Sequence, residues 1–221
     1  MLKGGETNRR DESNQVVNGR ENIALYGGSF DPIHIGHLMV AQAAFEEAGI
    51  DWMFFIPAAQ SPFKPDRRLA PASLRVRWLR LALAGWSRCS VDLSEIERGG
   101  ISYTIDTVRR YRQLYPQARL FWIIGGDHLA QLPQWKDAAE LATLTEFLVV
   151  PRVGVPKENP PKGFQVHFLQ GCPMSISSSE IRARLRQNRP VRLFLPPAAA
   201  DAIESCDFYR KGENQKENRK E

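Results

Sequence analysis

Short apolar runs alternate with helix-period patterns along most of the chain. Residues 22–28 (NIALYGG) read as a buried strand ending in two glycines, and residues 52–57 (WMFFIP) as the next strand. Between them, residues 36–48 place Leu38, Ala41, Phe45 and Ala48 on one helical face, with Gly49 as a stop. Pro71 and Gly85 bracket a helix over 71–84. A short strand follows near 89–93. Thr104 then caps a helix carrying Ile105, Val108, Tyr111 and Leu114. Residues 119–126 (RLFWIIGG) form another buried strand, a helix over 135–144 leads to a strand at 147–150, and a strand at 165–169 precedes a helix at 180–187.

Strand and helix alternate at intervals of about 25 to 30 residues, which predicts an α/β fold of Rossmann-like type: a doubly wound parallel sheet with helices on both faces. Ligands of such sheets bind beyond the carboxyl ends of the strands, so the chemistry should follow strand ends. Residues 1–20 are polar and mixed in charge and read as a disordered extension; residues 21–206 form the domain, and residues 207–221 (DFYRKGENQKENRKE) read as a polar tail.

Composition narrows the class. With 221 residues, 43% of them hydrophobic, the chain can bury one sizeable core. No apolar run approaches the ~18 residues of a membrane helix, and the polar start does not read as a secretory signal. Cys89, Cys172 and Cys206 are too scattered for a disulfide framework or a zinc cluster, so a reducing cytoplasm is expected. The net charge of +5 suits a phosphate-bearing small substrate; without a basic cluster interleaved with aromatics, nucleic acid is not expected as a partner, nor is a membrane.

Three segments at or near strand ends can carry chemistry. The first is GGSFDPIHIGHL, residues 27–38. Gly27 and Gly28 allow a sharp turn and a close backbone approach, Asp31-Pro32 makes a turn, and His34-Ile35-Gly36-His37 enters a helix whose first N–H groups are free to meet an anion. Two of the four histidines fall here, and with no cysteine or third histidine nearby in sequence the segment reads as a polyphosphate cradle rather than a zinc site. The second is ISSSEIRARL, residues 176–185, where Ser177 and Glu180 match a capping box. The same start presents free N–H groups and the hydroxyls of Ser178 and Ser179, with Arg182 one turn on. The third is IIGGDHLAQLPQW, residues 123–135. Asp127 fits two readings, a helix N-cap and a ribose ligand; Trp135 likewise fits either the core or a face for a heterocycle.

Taken together, H-x-G-H behind a Gly-Gly-Ser-Phe-Asp-Pro turn and I-S-S-S-x-I-R near the carboxyl end resemble the nucleotidyltransferase superfamily of adenylyl- and cytidylyltransferases. Ser102-Tyr103-Thr104, the IIGGD of residues 123–127 and the following L-x-x-L-P-x-W are similar to its bacterial nicotinate-mononucleotide adenylyltransferases. The resemblance implies transfer of an adenylyl group from ATP to nicotinate mononucleotide, with Mg²⁺ held mainly by the ATP phosphates. It further implies that His34 and His37 polarise the phosphates, that Gly28, Ser29, Phe30 and Gly36 line the nucleotide, and that Ser177, Ser178, Ser179 and Arg182 hold the triphosphate. Gly125 and Asp127 would hold the adenosine ribose, and Thr104, Trp135 and the backbone near Lys136 the nicotinate ring. Where the family often has Pro-Pro-His-Lys, this chain has Ser61-Pro62-Phe63-Lys64; Lys64 is left as a cation over the phosphates, and no histidine role carries over to position 63. Sister enzymes with other acceptors, such as phosphopantetheine adenylyltransferase, and a non-catalytic nucleotide sensor share the end motifs and are separated only by turnover.

Overall fold

A computed structural model of the chain describes residues 21–62, 68–151, 154, 158–171 and 175–210. The expected N-terminal extension over 1–20 lies outside the described residues, as do Phe63 and Lys64. Six strands, β1 (Asn22–Gly28), β2 (Trp52–Pro57), β3 (Cys89–Val91), β4 (Arg119–Gly125), β5 (Glu146–Val150) and β6 (Val166–Phe168), form one sheet in the order β3-β2-β1-β4-β5-β6. Every neighbouring pair is parallel. The chain winds outward from β1 in one direction, then returns to β4 and winds outward in the other. The strand order therefore reverses between β1 and β4, which opens a crevice at their carboxyl ends.

Parallel strands are covered on both faces, and the side chains alternate accordingly. In β2, Met53 and Phe55 point into one core layer while Trp52, Phe54 and Ile56 point into the other; in β4, Phe121 and Ile123 oppose Leu120, Trp122 and Ile124. Helices α1 (Ile35–Glu47) and α2 (Ala72–Ala82) lie on the first face, and α4 (Thr104–Leu114) lies on the second; the short α3 (Ser94–Arg98) precedes α4. Helix α5 (Ala138–Leu144) joins α4, and α6 (Ser178–Arg186) and α7 (Pro197–Glu204) join the first face.

Two expectations change. A helix was expected from residue 135, but residues Gly126–Gln134 form a 3₁₀ stretch and α5 begins only at Ala138, after Asp137 in the left-handed region at φ 51°. Pro133 within the stretch denies an α-helical hydrogen bond there, and the L-x-x-L spacing buries Leu129 and Leu132 on a threefold repeat instead. The second change is at the other end: residues Asp207–Arg210 are not tail but a short helix, α8, because Tyr209 is buried to 4% exposure against Trp78. On a smaller scale, Tyr103 and not Thr104 occupies the N-cap of α4, and Leu114 is exposed at its end.

One buried cation ties the site-bearing ends of the strands together. Arg75 shares a face of α2 with Leu79 and Ala82 and is 2% exposed. Its Nη1 donates to the carbonyls of Ser29 (2.8 Å) and Ala58 (2.9 Å), and its Nε to Ala70 (2.9 Å). Those carbonyls follow β1 and β2, so the guanidinium fastens both strand exits to α2. Replacing Arg75 by methionine should leave three carbonyls without this donor, and a buried acceptor left unmade costs about 1–3 kcal/mol. We expect Arg75→Met to lose about 3 kcal/mol of unfolding free energy in urea titration; a loss under about 1 kcal/mol would mean that the exits hold without it.

Candidate active site

The first strand exit shows why glycine is required. A Cβ on Gly27 would sit 2.5 Å from the indole of Trp122 on β4. After Gly28 the backbone passes through Phe30 at φ 45°, a left-handed conformation that costs a non-glycine residue roughly 1–2 kcal/mol. Burial of its ring offsets the strain: Phe30 is 1% exposed, with Phe55 at 5.7 Å and His37 at 5.1 Å. The Arg75 bond to Ser29 holds the preceding carbonyl.

His34 and His37 then build the start of α1. His34 is the N-cap, its N–H donates to His37 Nδ1 at 3.1 Å, and His37 N–H donates to His34 O at 2.9 Å. The two rings lie 3.7 Å apart between centroids, tilted by 32°. Since His37 Nδ1 accepts, the proton of the neutral ring sits on Nε2, which is a donor for an anion. The glycine of H-x-G-H has a packing reason too. A Cβ on Gly36 would lie 3.0 Å from the His34 ring, so any other residue would push that imidazole out of place.

A second helix start stands beside the first. Ser177 caps α6 by accepting from Glu180 N–H at 3.1 Å, as its capping-box spacing predicts. Ser178 Oγ donates to Pro32 O at 2.9 Å, and Arg182 Nη1 donates to Asp31 O at 2.6 Å. These bonds clamp the N-terminus of α6 against the turn that leads into α1. The Ser178 hydroxyl proton is engaged there, so Ser178 is left to meet a ligand through its backbone N–H. Ser179 Oγ accepts from Arg182 Nη2 at 2.9 Å and, like Ser177, keeps its own proton to donate.

The remaining expected residues border the same crevice from the β4 and β2 sides. Gly125 ends β4, and Asp127 lies in the first turn of the 3₁₀ stretch with its side chain 38% exposed. Thr104 opens α4, where the first N–H groups have no helical carbonyl to meet. Trp135 is half-buried, its ring 6.4 Å from Phe147, and its N–H donates to Leu132 O at 3.1 Å; no helix starts at Trp135–Lys136. Lys136 reaches across to α4 instead: Nζ lies 4.5 Å from the Tyr103 ring centroid and 3.3 Å from the Asp106 carboxylate.

Sequence patterns had not singled out three buried polar residues that hold these parts. Arg75 could have been suspected from its apolar helical face. Glu95, 3% exposed, accepts from Thr107 Oγ1 at 2.6 Å and from Ser102, while Ser102 Oγ accepts from Ala59 N–H at 3.0 Å. Burial pushes the Glu95 carboxyl above its usual range, against the opposing pull of those hydroxyls. It fastens the Ser102–Thr104 segment to the exit of β2. The third is Tyr209, whose hydroxyl reaches Asp31. Among the described residues no group of three or more His, Cys, Asp or Glu is arranged to hold a metal ion.

Comparison with known proteins follows this geometry closely. The cytidylyltransferase-like family model matches residues 25–184. A probable nicotinate-nucleotide adenylyltransferase of Opitutus terrae is 41% identical, covering 85% of this chain and 97% of its own length. One of Thermus thermophilus is 40% identical over 85% and 99%. In the solved structure of a Plasmodium falciparum nicotinic acid mononucleotide adenylyltransferase complexed with NaAD, the same fold recurs with a TM-score of 0.70 at 22% identity, covering 86% of this chain and 97% of that one. With a family model across most of its length and relatives this similar end to end, the chain belongs to the cytidylyltransferase-like family and, within it, to the nicotinate-nucleotide adenylyltransferases.

Proposed function

We infer that this enzyme transfers the adenylyl group of ATP to nicotinate mononucleotide, giving nicotinate adenine dinucleotide and pyrophosphate, a step of NAD biosynthesis. The observation that carries it is the pair of helix N-termini, α1 with its stacked histidines and α6 with Arg182, held side by side at the switch point of the sheet. Such a pair offers donors to a polyphosphate from two sides. In our reading a phosphate oxygen of the mononucleotide attacks the α-phosphorus of ATP in line. An O–P bond forms as the bond to the β-phosphate oxygen breaks, and the electron pair leaves with pyrophosphate.

The attacking phosphate is already anionic, so no side chain has to act as nucleophile or strong base. The protein's part is alignment and stabilisation of the negative charge that grows on the leaving group. His37 Nε2–H, the Arg182 guanidinium and the N–H groups of Ser178 and Ser179 are the donors we assign to it. Mg²⁺ would arrive with ATP, held by phosphate oxygens and water, and would supply further charge neutralisation. The carboxylate nearest the cradle, Asp31, is 1% exposed and accepts from Ala70 N–H and Tyr209 O–H, so it fits a structural role better than metal ligation. Cys89 and Cys206 are free thiols, and burial pushes the Cys89 thiol up to about 12. Unreactive, unpaired cysteines suit the reducing cytoplasm we assign to it; no described helix is long and apolar enough to cross a membrane.

The role of His37 is separable from its capping role. His37→Ala should lose about a hundredfold or more in kcat, since one preorganised transition-state donor is worth ~3 kcal/mol, and about 1 kcal/mol of stability through the lost cap. His37→Gln keeps an oxygen for the His34 N–H, as in a capping box. It should regain the stability while kcat stays low. Recovery of kcat together with stability in His37→Gln would reduce His37 to a capping residue.

Acid is expected to win over amide. The start of α4 presents unmet N–H groups at Thr104, and Lys136 adds a cation on the same side. A carboxylate there gains charge-assisted bonds, whereas the amide would turn its NH₂ toward donors, a mismatch worth ~1–3 kcal/mol. In side-by-side assays kcat/KM for nicotinate mononucleotide should exceed that for nicotinamide mononucleotide by at least about a hundredfold, or ~2.7 kcal/mol. Equal efficiencies would rule out the donor pocket while leaving adenylyl transfer standing.

A further inference from the structure

Helix α8 (Asp207–Arg210) lies beyond the segment that the family model matches, yet one of its side chains reaches the turn between β1 and α1. The Tyr209 ring packs 5.6 Å from that of Trp78, and its hydroxyl donates to Asp31 Oδ1 at 2.7 Å. The same oxygen accepts from Ala70 N–H at 3.1 Å. Arg182 approaches from the other side. Its Nη1 donates to the Asp31 main-chain carbonyl at 2.6 Å but stays 3.6 Å from Oδ2 of the carboxylate. The ion pair is thus incomplete: a guanidinium and a carboxylate left to themselves form two short parallel bonds, with N–O distances of about 2.7–2.9 Å.

We propose that Tyr209 is a positioning residue for triphosphate binding, which satisfies the Asp31 carboxylate so that Arg182 is not drawn fully onto it. Asp31 is 1% exposed, and a buried carboxylate must collect donors from whatever lies nearest. With the tyrosine and the Ala70 N–H on Oδ1, the guanidinium can hold the main-chain carbonyl and Ser179 while retaining N–H groups for phosphate. Without the tyrosine hydroxyl, Arg182 is the nearest cation to replace it. An arginine closed on Asp31 competes with the triphosphate for the same donors. Burial, with Asp31 next, pushes the Tyr209 hydroxyl far above its usual range, so it remains a donor at any working pH. This inference rests on Arg182 being a phosphate ligand, as assigned above.

Tyr209→Phe tests it, since the ring that packs on Trp78 is retained. Dissociation constants for MgATP and for nicotinate mononucleotide are measured by titration calorimetry on the full chain, alongside melting temperatures. Tyr209→Phe should weaken MgATP about fivefold and leave the mononucleotide within twofold. In an Asp31→Asn background, where no carboxylate remains to capture Arg182, adding Tyr209→Phe should change MgATP affinity less than twofold. MgATP affinity that is unchanged in Tyr209→Phe, or a loss shared equally by both substrates, overturns the proposal. Arg182→Ala separates the two layers. If it weakens MgATP and Tyr209→Phe does not, the positioning role alone fails; if Arg182→Ala leaves MgATP binding intact, the phosphate reading fails and the positioning role with it.

Discussion

The first turn of a helix carries N–H groups that no carbonyl of the helix can reach, and this protein sets two such turns against each other at the one place where its sheet reverses order. Most features of the site follow from that constraint. Helix α1 must leave β1 within a few residues, which forces Phe30 into the left-handed region and admits only glycine beside Trp122. Helix α6 must come back across the sheet to the same point, and it is held there by Ser178 on Pro32 and Arg182 on Asp31. The donors that remain have a common direction and a common partner in an anion.

Holding donors of one sign together is unfavourable unless something fixes the backbone behind them. Three buried polar groups do so, each at a strand exit. Arg75 binds the carbonyls that follow β1 and β2, Glu95 binds the Ser102–Thr104 segment near the exit of β2, and Asp31 sits under the start of α1. Each is nearly excluded from water, so each is stabilising only while its partners are complete. That dependence makes the geometry stiff. It also explains how α8, far along the chain, becomes part of the support through one hydroxyl.

Such a scaffold suits a reaction whose reactants bring their own nucleophile and leaving group. The stacked histidines divide the work: His34 closes the helix end, and its N–H fixes the tautomer of His37, so that Nε2–H is presented outward. Preorganised donors of this kind lose little on going to the transition state, because they are already where the charge will be.

The parallel sheet, the placement of β1, β2, β4 and β5 and the two anion-binding helix starts were legible in the chain, because apolar runs of strand length and H-x-G-H or S-S-S-x-I-R at helix starts report local physics that needs no distant partner. The helix expected at Trp135 was not there, since Pro133 and the spacing of Leu129 and Leu132 favour a 3₁₀ path whose burial only the folded sheet supplies. Arg75 looked like an interrupted apolar face and Tyr209 like part of a polar tail. Their roles depend on carbonyls and a carboxylate that lie 46 and 178 positions away along the chain. Period and capping act over a few residues and are written locally; the partner of a buried charge is chosen by which segments the fold brings together, and that is settled only in three dimensions.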